Sequence, residues 1–430
     1  MRTRGKAVVS SGSKLILWAL VVRCCTIIAL SQTIKAPPIP KAGPLAEPRS
    51  LHQVGLPLYQ TRDVIPKDNP QTPDKIALGK KLFFDGRLSA DGTVACATCH
   101  DPALAFTDGR PASIGIHGRV GQRNAPTVLN ALYFKTQFWD GRAATLEEQA
   151  GLVIINPVET GQTNIEAAVA QIQKSKEYQD AFVTVFGRPL NAADLLRAIA
   201  SYERTLLSFN SPFDRFIARD GNAIDDSAKR GWKLFNGQAR CNKCHALTDN
   251  QPNLTSFTDN DFHNIGIGII RHQVVPLARQ ALQSVNSGNS AEVDRAAIQS
   301  EMSVLGRYLV TKKEPDIASF KTPTLRNVLI TAPYFHDGSQ ETLWDVMDHY
   351  NKGDGVQNPF LDEDIQPLAL SEDDINDVVS FLASLTSDDY KEKGTRELSR
   401  QRAIAQKNRP QRDTKRAFGP KPVQPPPPKP

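Results

Sequence analysis

Two short strings carry the chemistry of this chain: CATCH at Cys96–His100 and CNKCH at Cys241–His245. Each sets two thiols three residues apart and puts a histidine directly after the second. On one turn of helix both thiols reach the vinyl edge of a single porphyrin and form thioethers. The adjoining histidine then offers a ring nitrogen to the iron from below. A four-cysteine zinc site, or two redox disulfides, would use the same cysteines. Zinc needs no histidine after each pair, and a lone redox pair usually follows a strand in a βαβ setting that this sequence lacks. Two covalently bound haem c groups, one on Cys96, Cys99 and His100 and one on Cys241, Cys244 and His245, account for both strings.

The remaining cysteines, Cys24 and Cys25, lie in an N-terminal segment of another kind. Arg2, Arg4, Lys6 and Lys14 precede an apolar run from Leu15 to Leu30 that Arg23 interrupts, and small residues stand at Ala29 and Ser31. This is the pattern of a secretory signal over residues 1–31. An uncleaved anchor is the alternative, although the run falls short of the roughly 20 apolar residues of a membrane span. Arg23 argues against a lipoprotein. Export to the periplasm is expected, a compartment in which haem is attached covalently.

The elements that must position these strings read as helices. Thr72 and Pro73 open a helix through Phe83; Asn164, Asn191 and Ser371 cap three others, and strand-like alternation is scarce. An internal repeat organises them. GKKLFFDGRLSADGTVACATCH resembles GWKLFNGQARCNKCH, and APTVLNALYFKTQFWDG resembles TPTLRNVLITAPYFHDG. Pro126 to Asp140 and Pro323 to Asp337 both span 14 residues, and a helix start follows each, at Thr145 and Thr342. The fold class predicted is mainly α, with two tandem cytochrome c-like haem domains at residues 72–225 and 226–390. Residues 32–71 are a proline-rich linker or strap. The second copy has about fifty extra residues, whose polar stretch 271–300 is expected to be a surface insertion.

The net charge of +6 is unevenly placed. Residues 1–31 carry +5 and residues 391–430 carry +9, which leaves the body at −8. The basic, proline-rich tail 391–430 is expected to be disordered. No nucleic-acid motif is present.

The stretches CATCHDPALAFTDGR, GQRNAPTVLNALYFKTQFWDGRAATLEEQA, NPVE, FHNIG and TPTLRNVLITAPYFHDG resemble the bacterial di-haem cytochrome c peroxidases and their MauG relatives. The resemblance covers about Thr72 to Ser387. It implies that hydrogen peroxide reacts at the first haem, with Glu159 as acid–base group and Gln149 as its pocket companion. Trp139 matches the tryptophan between the haems. His117 matches a histidine that ligates the first haem in resting peroxidases and swings away on activation. Asn124, with the carbonyls of Thr331 and Pro333, matches a calcium site.

At the second haem the peroxidases place a methionine 14 residues after the histidine of YFHDG; here that register gives Tyr350, as in MauG. Met347, one turn back, is the other candidate. A phenolate favours ferric and higher states, a thioether the ferrous state. His117 therefore points to a peroxidase fed by a small electron-donor protein, a cytochrome c or a cupredoxin. Tyr350 points instead to a MauG-like oxidant of tyrosine or tryptophan in a protein substrate. A simple di-haem electron carrier is the third reading, and the resemblance is compatible with a homodimer.

Overall fold

The computed structural model describes residues 34–50, 64–246, 256–269, 273–353 and 358–408. The segment 1–31 expected to be a signal, part of the expected strap and the tail beyond residue 408 lie outside the described residues. The described chain is helical, with one two-stranded antiparallel sheet that pairs Phe262 with Lys321 and His263 with Phe320.

The helix starts are local chemistry. Thr72, Thr145, Asn164, Asn191, Thr342 and Ser371 each accept a backbone N–H of the first turn, which satisfies a donor that the helix cannot. Ser371 and Thr342 form full capping boxes with Asp374 and Asp345.

The repeat is visible as matched geometry. In the first copy the helix Pro73–Phe83 crosses Ala192–Glu203, and in the second Asp226–Asn236 crosses Glu372–Ala383. A glycine lies at each crossing. A Cβ on Gly79 would stand 1.9 Å from Ala198 O, and one on Gly231 would stand 1.9 Å from Asp377 O. Four residues on, Phe83 and Phe235 are buried in one shared aromatic core with Tyr202, Phe213, Phe257 and Phe381.

The second repeat pair also superposes in detail. Asn130 and Asn327 adopt φ of 63° and 59°, a left-handed conformation that asparagine tolerates. Each donates its backbone N–H to a leucine carbonyl, Leu206 O at 2.8 Å and Leu385 O at 3.1 Å. Each accepts a serine N–H on its side-chain oxygen, from Ser208 at 2.8 Å and from Ser387 at 2.9 Å. Those two serines hydrogen-bond to each other at 3.0 Å, so the halves meet at equivalent residues.

The structure corrects two expectations. The stretch 271–300, expected as a surface insertion, is built into the fold over its described residues 273–300: Val274–Ser284 and Ser290–Gln299 are helices that bury Val274, Ala278, Ala281, Val293 and Ala297 in a cluster with Val158. Their polar composition hid apolar positions one helical turn apart. The basic tail begins as a helix, Lys391–Asn408, that is polar almost all round. It is held by the buried Gln401, which donates to Leu329 O at 2.9 Å and Tyr334 Oη at 2.8 Å and accepts the Leu343 N–H at 2.9 Å. Docking by hydrogen bonds leaves no hydrophobic stripe for sequence reasoning to find. Residues 34–50 lie against the body, with Ala46 buried and its carbonyl accepting Tyr202 Oη at 2.8 Å.

The crossing glycines yield a stability prediction. Gly231→Ala should destabilise the folded protein by about 1–3 kcal/mol through overpacking, and Gly43→Ala, where an added methyl meets nothing, should not. Thermal denaturation of the two variants checks this.

Candidate active site

Each cysteine string ends on a histidine whose ring is fixed from behind. His100 Nδ1 lies 2.9 Å from Phe106 O, and His245 Nδ1 lies 2.7 Å from Phe257 O. A carbonyl only accepts, so Nδ1 carries the proton and Nε2 keeps its lone pair for a metal. Burial lowers both histidine pKa values, so both rings are neutral. Both phenylalanines are in the left-handed region, at φ 58° and 50°, and both are fully buried.

The four cysteines are free. Burial lifts the thiols of Cys99 and Cys241 to about 12. Among the described residues one metal-like grouping occurs, Cys244, Asp259 and His263. There the histidine nitrogens are already held by Asp259 at 3.0 Å and Asp362 at 2.6 Å.

Cys96, Cys99 and His100 open onto a large, mostly apolar cavity that also takes in Asn124, Trp139, Gln149, Glu159, Thr331 and Pro333. The first copy's string and pocket residues are thus brought together, joined by two positions from the second copy. Gln149 comes from the helix Leu146–Ile155 and Glu159 from the turn that follows it. That turn is tied by Asn156, whose Oδ1 accepts the N–H of Val158 at 2.9 Å and of Glu159 at 3.3 Å. Glu159 O accepts Ile116 N–H at 3.0 Å. Its carboxylate oxygen Oε2 is buried without a hydrogen-bond partner. Burial lifts the Glu159 carboxyl pKa well above the usual carboxylate range; Asp294 adds to the shift and Arg142 opposes it.

Trp139 donates its indole N–H to Asn124 O at 2.9 Å, and Asn124 N–H donates to His336 O at 2.8 Å, so this chain of bonds crosses from one half to the other. Asn124 Nδ2 donates to Arg110 O at 2.6 Å, which turns Oδ1 the other way.

His117 is not brought to the cavity. Its side chain is 61% exposed and its Nδ1 faces Asp91 at 3.4 Å, on a loop whose Gly115 and Gly118 pack too closely for any side chain. In the second half, Tyr350 is close to the string: burial raises its phenol pKa, and the thiols of Cys244 and Cys241 raise it further. Met347, 3% exposed, packs in the same core cluster that Tyr350 and Cys241 pack against.

Sequence reasoning missed a buried charge network behind Glu159. Arg142 donates Nε to Asp294 Oδ1 at 2.8 Å and Nη1 to Asp140 Oδ1 at 3.0 Å, and Arg123 Nη1 donates to Asp140 Oδ2 at 2.7 Å. Burial would raise Asp140, but Arg142 and Arg123 outweigh it and hold the carboxyl at about 2. Glu203 was missed too. It lines the cavity on the Cys96 side, its Oε2 has no partner, and burial lifts it to about 8 against the opposing charge of Arg204. Its signal was available, because Glu203 is an acid four residues after Ile199 on the buried stripe of its helix.

Paired thiols, an imidazole with a free Nε2 and an apolar cavity bearing orphaned carboxylate oxygens fit a porphyrin and the small polar oxidant beside it. Comparison with known proteins agrees. The model of the di-haem cytochrome c peroxidase family matches residues 73–222. The cytochrome-c peroxidase IdrP1 of Pseudomonas sp. (strain SCT) is 38% identical over 75% of this chain and 83% of that one. MauG of Methylorubrum extorquens is 37% identical over 75% and 81%. Among solved structures, a MauG-like protein associated with microbial copper homeostasis aligns with a TM-score of 0.61 at 28% identity, over 84% of this chain and 95% of that one. The diheme peroxidase BthA of Burkholderia thailandensis aligns at 0.59 and 25%, over 75% and 88%. The chain belongs to the di-haem cytochrome c peroxidase and MauG family, and is a peroxidase-type oxidoreductase with haem c as its cofactor.

Proposed function

We propose that this protein is an exported peroxidase that reduces hydrogen peroxide to water in the cavity of its N-terminal half. Electrons would arrive one at a time from a small cytochrome c or cupredoxin through the C-terminal half. The observation that carries the reading is Glu159: a buried carboxyl with a free oxygen in the cavity that His100 and Cys99 line. Haem c, when bound, supplies a redox iron that takes electrons singly and hands them to peroxide.

The residues of the chain manage position and protons. His100 is oriented by Phe106 O to present Nε2. Reduction of peroxide to two waters takes up two electrons and two protons, and the proton of the attacking oxygen has to reach the departing one. Glu159 Oε2 takes that proton and returns it, a task for which a carboxyl pKa lifted toward neutrality is suited. Gln149, one helix away on the same cavity, holds the substrate by its amide. Trp139 lies at the seam, fixed by Asn124 O, where its ring relays an electron between the halves. His117, outside the cavity beside Asp91, is read as a ligand in its released position. Asn124 Oδ1 and the carbonyls of Thr331 and Pro333 accept no hydrogen bond among the described residues, and oxygen donors of this type suit calcium.

A second reading is favoured by Tyr350, whose buried phenol interacts with the thiols of Cys244 and Cys241. A phenolate ligand there would stabilise higher oxidation states shared between the centres. The protein would then be a MauG-like oxidant of tyrosine or tryptophan in a partner protein.

Three measurements test these readings. Glu159→Gln should keep both haems and lower kcat/KM for peroxide by about 10²- to 10⁴-fold. Because ionised Glu159 is the base and burial raises its pKa, the activity of the parent should rise with pH through a limb lying above the ordinary carboxylate range. The Gln variant should lack that limb. Oxidation of a reduced cytochrome or cupredoxin by peroxide would support the peroxidase reading, and failure with all donors would remove it. Tyr350→Phe should shift the visible spectrum and potential of the second haem; an unchanged spectrum and potential would count against tyrosine ligation.

A further inference from the structure

The helix Ser290–Gln299 belongs to the second half in sequence, yet Ile298 lines the first half's cavity, and Asp294, one turn earlier, bonds Arg142, which lines it too. Ile298 lines the cavity wall next to Gly121. Asp294 is 2% exposed and is bound on both oxygens: Oδ1 accepts Arg142 Nε at 2.8 Å, and Oδ2 accepts Asn156 Nδ2. Asn156 in turn grips the turn that carries Glu159. Arg142 Nη2 also lies 2.8 Å from Asp294 Oδ1, so the guanidinium of a cavity-lining residue is held against this carboxylate.

We propose that Asp294 is a positioning residue of the peroxide site and that Ile298 limits the size of peroxide the site admits. Asp294 acts through two bonds. Through Asn156 it fixes where the Glu159 carboxyl stands, and through Arg142 it fixes the cation next to that carboxyl. Its own negative charge disfavours the ionised form of Glu159, so it also sets the pH at which Glu159 becomes a base. The other charges around this turn do not bond Asp294 itself, although Asp140 shares Arg142 with it. Asp140 and Arg123 neutralise each other on the far side of Arg142, Arg119 donates to Pro157 O at 2.7 Å, and His117 faces Asp91. Lys321 is engaged by Thr136 O at 2.6 Å. The inference rests on the reading of Glu159 as the proton carrier.

The test uses the holoenzyme with both haems. Asp294→Asn removes the charge and keeps one acceptor oxygen, for Arg142 or for Asn156, while its NH2 group faces the other donor. It should move the acid limb of kcat/KM for hydrogen peroxide to lower pH by about one unit, with the haem spectra unchanged. A limb that stays in place while only thermal stability falls would reduce Asp294 to a structural partner of Arg142 and overturn the proposal. Ile298→Ala should raise the ratio of kcat/KM for cumene hydroperoxide to that for hydrogen peroxide several-fold, and an unchanged ratio would overturn the size limit. Glu159→Gln separates the layers. If it retains the limb, the reading of Glu159 falls and the role of Asp294 with it. If it loses the limb while Asp294→Asn leaves the limb unmoved, only the role of Asp294 falls.

Discussion

The rest of the structure depends on one hydrogen bond made twice, from a histidine Nδ1 to the carbonyl of a buried phenylalanine. A histidine next to a thioether-forming cysteine is useful only if its ring cannot turn, and the bonds at Phe106 O and Phe257 O prevent turning. Each carbonyl is aimed by a backbone in the left-handed region, which a bulky residue adopts only when its surroundings hold it there. The holding is done by the ring, locked among Phe83, Phe213, Phe235 and Phe381. Core packing and axial geometry are therefore the same feature viewed from two sides.

Around that shared frame the two copies carry different chemistry. In the first, the helix after the repeat ends at a turn presenting Glu159, and the cavity leaves its oxygen unpartnered. In the second, the corresponding helix carries Tyr350 toward the cysteine pair and buries Met347. The charge network of Arg123, Asp140, Arg142 and Asp294 belongs to the first copy's pocket but draws Asp294 from the second copy's sequence. A buried group of this kind persists because every ion has a counter-ion; removal of one partner would strand a charge away from water.

What was legible in the sequence was whatever is local or repeated. The caps at Thr72, Asn191 and Ser371 need only neighbouring residues, and the structure has them in the predicted places; the repeat that sets Pro126–Asp140 against Pro323–Asp337 appears as a matched pair of left-handed asparagines. The cavity collects Gln149, Glu159, Trp139 and Asn124, whose identification came from resemblance rather than from pattern. The misses are long-range. Asp294 was one polar residue in a polar stretch, and nothing local says that it meets Arg142 from 152 residues away. The helix Lys391–Asn408 has too few buried positions to show a periodic face, since Gly394, Gln401 and Ala405 are all it buries. Its attachment is polar, and polarity in a basic segment reads as solvation.

The serine contact between the halves has a further meaning. In a symmetric dimer, a residue on the axis touches its own copy. Ser208 against Ser387 has that form, with each serine anchored to its own left-handed asparagine. The two halves of the single polypeptide thus meet at this point as the partners of a symmetric dimer would, although they differ elsewhere in sequence.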